Sequence, residues 1–187
     1  MDTKNWRVKG TLLLDYVRMI KANKDRPWHK YLTPKDIEII EGRVLPSVWY
    51  PYETFRRCGL ATFHELAGSR LETVRAWGKI WLTHLVKEVY TSVSTEKDPL
   101  KAIERFLNLR KQFFNFEALS YEKVGEKHIK IRLYSVPDKE SVEAFSAQLC
   151  GGIEQLIEIT GGKNPRVTFN TKQSAKEAQT DIDVKWD

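Results

Sequence analysis

The sequence predicts an α+β fold in which a helical subdomain, residues 1–112, precedes an antiparallel β-β-α-β-β subdomain, residues 113–187. Up to about Phe113, apolar side chains recur at the three-to-four-residue spacing of helices. Beyond that point the spacing changes to the alternation of strands, interrupted by one long helical stretch. A chain of 187 residues suits one integrated domain, with the helix covering one face of the sheet.

The first two helices are marked by their boundaries as well as by their spacing. Residues 10–22 carry an amphipathic pattern. The next helix opens at Thr33, which can cap it, and Asp36 stands where a capping-box acid belongs. Two prolines then bracket the segment "LPSVWYP", which we expect to be extended because a residue before proline avoids the helical region.

Two longer helices complete the first half of the pattern. One covers about residues 52–67, and a second capping-box signature, Ser69 with Glu72, precedes another that reaches about residue 93. Apolar residues cover a wide face of this second helix, so we expect it to be central. Gly78 in its interior costs about 1 kcal/mol relative to Ala, which a close packing contact or a pocket wall would offset.

The remaining elements follow a helix that starts at Asp98. The stretches "ALSYEKVG" and "KHIKIRLYS" alternate and predict a hairpin that turns at Gly125. A helix over 139–160 follows, with Asp138 as its cap and Gly161 as its stop signal. The stretches "RVTFN" and "TDIDVKW" predict two more strands.

Composition limits the classes of function. Apolar residues make up 41% of the chain and charged residues 30%, which indicates a packed core rather than disorder. No apolar run is long enough to span a bilayer, and no secretory signal is visible, so we expect a cytoplasmic protein. The net charge of +6 is concentrated in residues 1–112 and could meet nucleic acid, an anionic membrane or an acidic partner. The basic residues are scattered, which favours a solubilising surface.

No catalytic or metal-binding motif stands out. There is no glycine-rich phosphate loop and no G-x-S-x-G elbow. The histidines are too far apart for a paired-ligand motif: His29, His64, His84 and His128. Cys58 and Cys150 are isolated, and reduced core thiols explain them. We therefore expect neither an enzyme nor a metal site.

Aromatic side chains are the more informative feature, because they concentrate in the helical part. Core packing explains most of them, but an apolar pocket for a flat or long-chain ligand would look the same in sequence. The candidate lining residues are Trp77, Trp81, Phe106, Phe113, Tyr134 and Phe145.

Three stretches carry a resemblance to a known fold: "YPYETFRRCGLATFHELAGSRLETVRAWGKIW", "IKIRLYS" and "LCGGIEQLIEITGGKNPRVTF". With the order of elements, they resemble the haem–nitric-oxide-binding (H-NOX) domain. The second part also resembles the vinyl-reductase-type ligand-binding domain, which shares a superfamily with subunits of the vesicle-tethering trafficking particle. "VKG" and "LPSVWYP" resemble a bacterial family abundant in myxobacteria. The resemblance implies an H-NOX-like fold and a sensory or ligand-binding role.

The haem-holding residues that the resemblance implies are mostly missing. The helix before the hairpin should supply an iron-ligating histidine, but "FLNLRKQFFNF" has none. The family's Tyr-x-Ser-x-Arg motif aligns with Tyr134, Val136 and Asp138, where only the tyrosine matches and the acid would repel a propionate. The cysteines of the vinyl-reductase type match only at Cys150. We expect no haem through the family's ligands and no zinc, leaving His84 or His64 as alternative haem ligands.

Three functions remain, in this order. The first is a haem-free sensory or regulatory domain that binds an apolar small molecule or acyl chain. The second, close behind, is a protein-interaction or scaffold module that binds a protein partner or forms a homodimer through "LPSVWYPYE" or exposed sheet edges. The third is binding of nucleic acid by the basic surface, which no helix-turn-helix signature or aromatic strand supports.

Overall fold

The computed structural model confirms the α+β prediction and describes residues 4–88, 96–135, 138–173 and 178–187. The helices are α1 (Gly10–Ala22), α2 (Pro34–Glu41), α3 (Tyr52–Glu65), α4 (Leu71–Glu88), α5 (Pro99–Lys111) and α6 (Lys139–Ile159), with a short 3-10 helix at Trp28–Lys30. The strands are β1 (Arg7–Lys9), β2 (Trp49–Pro51), β3 (Leu119–Gly125), β4 (His128–Ser135), β5 (Arg166–Gln173) and β6 (Ala178–Lys185). The predicted extension of α4 to residue 93 lies outside the described residues.

Contacts divide the chain into two compact units. The first contains the residues up to Arg70 together with Gln112–Phe116, and the second contains Leu71–Lys111 and Glu117–Asp187. This division differs from the predicted boundary after residue 112. The reason is that α4 and α5 pack into the core of the sheet-containing unit, with α4 lying along α6. That the chain forms one integrated domain stays a prediction.

In the first unit, local signals place the helices as predicted. The capping box of α2 is present: the Thr33 hydroxyl accepts from the Asp36 N–H at 3.3 Å, and the Thr33 N–H donates to the Asp36 carboxylate at 2.9 Å. Of the predicted extended segment, only the last three residues form a strand, β2, which pairs antiparallel with β1, while residues 46–48 turn. The sequence analysis missed β1, because three residues are too few to establish an alternation.

The second capping-box prediction is wrong. Helix α4 begins at Leu71, so Ser69 lies two residues before it instead of at the capping position. Ser69 has a left-handed backbone with φ of 58°, and its hydroxyl is hydrogen-bonded to the His64 ring at 2.8 Å. Its side chain is therefore engaged with the preceding helix α3.

In the second unit, the four predicted strands form one antiparallel sheet in the order β3-β4-β6-β5. Ile129, Ile131 and Leu133 of β4 are buried on one face, where α6 packs against β5 and β6. Asp138 caps α6 as predicted, accepting from the Ser141 N–H at 3.2 Å. The alternate residues of β4, from Lys130 onward, lie on the opposite face of the sheet.

Helices α4 and α6 approach each other at glycines. A Cβ at Gly78 would collide with the backbone carbonyl of Gln148, and a Cβ at Gly151 would collide with that of Arg75. Of the two explanations for Gly78, the structure shows the close packing contact, as a backbone-to-backbone approach. Beside this crossing, the Arg75 guanidinium donates to the Glu154 carboxylate and to the Val167 carbonyl.

Candidate functional site

Three of the predicted aromatic residues surround one arginine in the second unit. The guanidinium carbon of Arg110 lies 5.0 Å from the ring centroid of Phe145, 5.5 Å from that of Trp81 and 5.8 Å from that of Phe106. The Trp81 and Phe106 rings meet edge-on, with 6.4 Å between their centroids. We call these four residues the aromatic cage. Each cation–ring contact in such a site is worth about 0.5–2 kcal/mol.

Helix geometry explains how three separate elements build the cage. Phe106 and Arg110 are four residues apart on α5, so their side chains share a face. Trp81 comes from α4 and Phe145 from α6, which pack along each other. Arg110 is only 5% exposed, whereas the Trp81 and Phe145 rings are half-buried and pack on the margin of the core. Both rings therefore keep accessible surface beside a buried cation.

The other predicted lining residues lie elsewhere. Trp77 is half-buried on α4, four residues before Trp81 and thus on the same side of that helix. Tyr134 lies on the opposite face of the sheet from the buried residues of β4, and its hydroxyl is 3.3 Å from that of Ser120. Phe113 is buried in the first unit. That the six residues line one ligand pocket stays a prediction.

The sequence analysis missed Arg110, although a signal for it existed. The apolar positions of α5 include Ile103, Phe106 and Leu107, and Arg110 continues their helical spacing. A charged residue on the apolar face of an amphipathic helix is unusual, because charged side chains are almost never fully buried unless paired.

The second unit also has a polar groove that the sequence did not predict. It measures about 430 Å³ and lies on the outer face of the sheet. Polar and charged side chains from neighbouring strands line it, because the strand register places them side by side. The main polar lining residues are Ser120, Lys130, Arg132, Thr168, Asn170, Asp181 and Asp183.

Both aspartates of this groove are held ionised by their neighbours. A hydrogen bond of 2.8 Å from Arg132 lowers the pKa of Asp181. Burial raises the pKa of Asp183, but hydrogen bonds from Lys185 and His128 outweigh it, so the pKa of this carboxyl is also lowered. The aspartates of the groove therefore form ion pairs with neighbouring basic side chains on a solvated surface.

The residues of the second unit do not fit a haem held in the manner that the resemblance implies. Helix α5 is the helix before the hairpin, and its buried positions are Leu100, Ala102, Ile103, Phe106, Leu107 and Arg110. The guanidinium of Arg110 stays protonated in proteins and has no lone pair to offer a metal. The buried positions of this helix therefore include a cation and no histidine.

The histidines and cysteines do not form a buried group of metal ligands. His84 is exposed on α4, and His128 is hydrogen-bonded to Asp183 on the outer sheet face at 2.6 Å. His64, in the first unit, stacks on the Tyr31 ring with 5.3 Å between centroids. Burial raises the pKa of both cysteine thiols to about 12, which disfavours the thiolate that binds metals. Within the described ranges, no three His, Cys, Asp or Glu side chains converge as metal ligands.

The fold is that of H-NOX domains. A Cs H-NOX mutant carrying 4-cyano-L-phenylalanine matches with a TM-score of 0.60 and 14% identity, over 95% of this chain and 96% of that chain. An oxygen-binding H-NOX domain related to soluble guanylate cyclases matches with 0.60 and 12%, over 95% and 94%. A mutant of the Fe(II) unliganded H-NOX protein from K. algicida matches with 0.61 and 11%, over 96% of both chains.

These structural matches extend over nearly the whole chain. Because their sequence identities are low, they establish the fold and nothing more. No protein-family model and no curated protein matches the sequence. Among the helices of the described ranges, none has the length and apolar character needed to cross a bilayer. The H-NOX-like prediction for the fold is thus confirmed by the matches to solved structures.

Proposed function

We propose that this chain is a haem-free sensory domain that binds an apolar small molecule and acts by regulation rather than catalysis. The aromatic cage of the second unit forms part of the ligand wall. The observation that carries this proposal is the partly accessible surface of Trp81 and Phe145 around the buried Arg110.

The H-NOX-like fold supports a sensory role. The similar structures include an oxygen-binding domain related to soluble guanylate cyclases. Arg110 on α5 argues against the same chemistry in this chain, because a guanidinium cannot ligate iron. A ligand held without a metal must instead be recognised by shape and apolar contact, for which aromatic walls are suited.

The cage favours a ligand with a flat or extended apolar body. Half-buried rings lose water when a ligand covers them, and apolar burial contributes about 25 cal/mol per Å². Arg110 keeps a positive charge beside these rings, and its contacts with three rings from three helices hold their relative positions. A ligand that displaced one ring would therefore change side-chain contacts on α4, α5 and α6 together.

Native mass spectrometry of gently purified protein, compared with the denatured mass, tests the proposal. A discrete excess mass that is lost on denaturation, without the visible absorbance of haem, is the expected result. An excess mass equal to haem would contradict the haem-free part. A bare mass in a defined oligomer would contradict ligand capture and favour the protein-interaction alternative.

Two adjacent positions on α4 provide a matched pair of variants. Trp81→Ser removes a ring of the cage, whereas Ile80→Ser changes a side chain that is 57% exposed. We expect the excess mass to disappear from the Trp81 variant and to persist in the Ile80 variant, with both proteins folded by circular dichroism. Equal retention of the ligand in both variants would exclude the cage as its wall.

A further inference from the structure

An apolar patch surrounded by basic residues lies on the first unit, in the segment between α2 and α3. Leu45, Val48 and Trp49 are 40%, 41% and 43% exposed, which is unusual for large apolar side chains grouped within five residues. Lys9 is the cross-strand partner of Trp49, and the exposed Arg43 lies two residues before Leu45 in the chain. We call these five residues the basic-apolar patch.

The pairing of β1 with β2 fixes the geometry of this patch. Residues directly opposite each other in an antiparallel pair project from the same face. Lys9 and Trp49 are opposite, and the Lys9 ammonium lies 5.4 Å from the centre of the Trp49 ring. Arg7, two residues earlier on β1, shares this face, while the intervening Val8 is fully buried on the other.

Backbone hydrogen bonds hold the apolar side chains at the surface. The Val48 N–H donates to the Leu45 carbonyl at 3.3 Å, and the Gly10 N–H donates to the Val48 carbonyl at 2.9 Å. The Leu45 N–H donates to the Tyr50 hydroxyl at 2.9 Å. The segment is therefore fixed through its main chain, so that the exposure of its side chains is a property of the fold.

The charge around the patch has one sign. Residues 4–11 and 42–50 contain Lys4, Arg7, Lys9 and Arg43, and neither stretch contains Asp or Glu. Such a surface is complementary to an anionic one. Three side chains that are each about two-fifths exposed offer far less apolar area than the roughly 800 Å² that each partner buries in a standard protein interface.

We propose that the basic-apolar patch docks this domain on the surface of a membrane that contains anionic lipids. Trp49 enters the headgroup region, which tryptophan favours, with Leu45 and Val48 beside it. Arg7, Lys9 and Arg43 pair with the lipid phosphates and carboxylates. This inference does not depend on the proposed ligand, because the patch and the aromatic cage belong to different units.

Sedimentation of the full chain with lipid vesicles tests the proposal. We expect binding to vesicles of phosphatidylcholine mixed with phosphatidylserine, no binding to phosphatidylcholine alone, and weaker binding as salt screens the charges. Equal binding to both vesicle types, or to neither, would overturn the proposal.

Paired variants assign the binding to the patch. Lys9→Glu and Trp49→Ser should each lower the vesicle partition coefficient by about tenfold or more. The matched controls are Lys123→Glu and Val124→Ser on β3, where Val124 is 47% exposed. All four proteins must keep the thermal unfolding midpoint of the unaltered chain.

Loss of partitioning in the controls equal to that in the patch variants would overturn the assignment. Binding to an acidic peptide such as polyglutamate in the absence of any vesicle binding would also overturn it, and would make the patch a protein-docking surface. The ligand test by native mass spectrometry is unaffected by either outcome, so the two proposals fail independently.

Discussion

Each of the two units packs an arginine against its core, but the groups that the two guanidinium ions are seen to contact differ. In the first unit, Arg57 donates two hydrogen bonds to the Asp36 carboxylate, at 2.7 and 2.9 Å. Asp36 is fully buried and also accepts from the Thr54 hydroxyl. In the second unit, Arg110 lies over three aromatic rings. Arg57 neutralises a buried charge, whereas Arg110 packs its guanidinium against aromatic rings.

The contacts of the two arginines show what each unit uses its arginine for. Burial alone would raise the pKa of Asp36, but hydrogen bonds from Arg57, Thr54 and Thr33 outweigh it and hold the pKa of this carboxyl well below its usual range. The same carboxylate caps α2, so the network ties α2 to α3. The first unit thus uses its arginine to join two helices, and the second packs its arginine against partly accessible aromatic rings.

The largest expected effect is the loss of the Arg57–Asp36 pair. Arg57→Met leaves a buried carboxylate without its counter-charge, and such losses cost about 3–5 kcal/mol in free energy of unfolding. Urea unfolding followed by circular dichroism measures it. The control is Arg18→Met, whose partner Asp15 is exposed, and it should change the free energy of unfolding by less than about 1 kcal/mol. Equal effects at both sites would refute the structural role of Arg57.

Acid should remove the same stabilisation within a defined window. Because the pKa of Asp36 is lower in the folded state than its ordinary value of 3.8, its contribution is fully present above that value. The contribution is lost as the pH falls below 3.8 towards the folded pKa. Asp36→Asn should therefore flatten the acid limb of a plot of unfolding free energy against pH. An unchanged acid limb would show that other carboxylates dominate it.

The glycine crossing of α4 and α6 should give the next largest effect. Gly78→Ala places a methyl group against the Gln148 backbone, and such overpacking costs about 1–3 kcal/mol. Gly152→Ala is the matched control, because its Cβ would meet the Gly78 carbonyl oxygen at 3.6 Å, an ordinary contact. We expect Gly152→Ala to be neutral or to stabilise the helix slightly. Thermal unfolding of both variants would separate the two cases, and equal midpoints would contradict the close approach.

How far sequence predicts this molecule depends on whether the signal is local. The cap at Asp138 and the alternating strand β4 were each predicted correctly, because backbone periodicity and helix capping act over a few residues. The same capping signature failed at Ser69, whose hydroxyl instead meets the His64 ring. A local sequence pattern does not reveal which of several possible partners a side chain will hydrogen-bond.

The candidate site was predicted less completely, because tertiary packing decides it. Aromatic composition indicated Trp81, Phe106 and Phe145, and the fold brings these three together. Tyr134 was included as a lining residue, but the alternation along β4 places it on the opposite face of the sheet from the buried Ile131. Arg110 was missed because a single basic residue in an amphipathic helix is normally interpreted as part of its solvent-facing side.

The smallest expected effect, and the sharpest test of the comparison, comes from making the same substitution at the second arginine. Arg110→Met keeps an unbranched side chain in apolar contact with the three rings, so the free energy of unfolding should fall by about 1–2 kcal/mol, less than for Arg57→Met. The same urea unfolding experiment measures both. If Arg110→Met costs as much as Arg57→Met, Arg110 is a structural clamp like its counterpart. If it costs less, and the variant still captures the same ligand, the cage serves binding through its apolar surface, because methionine keeps that surface and removes only the charge.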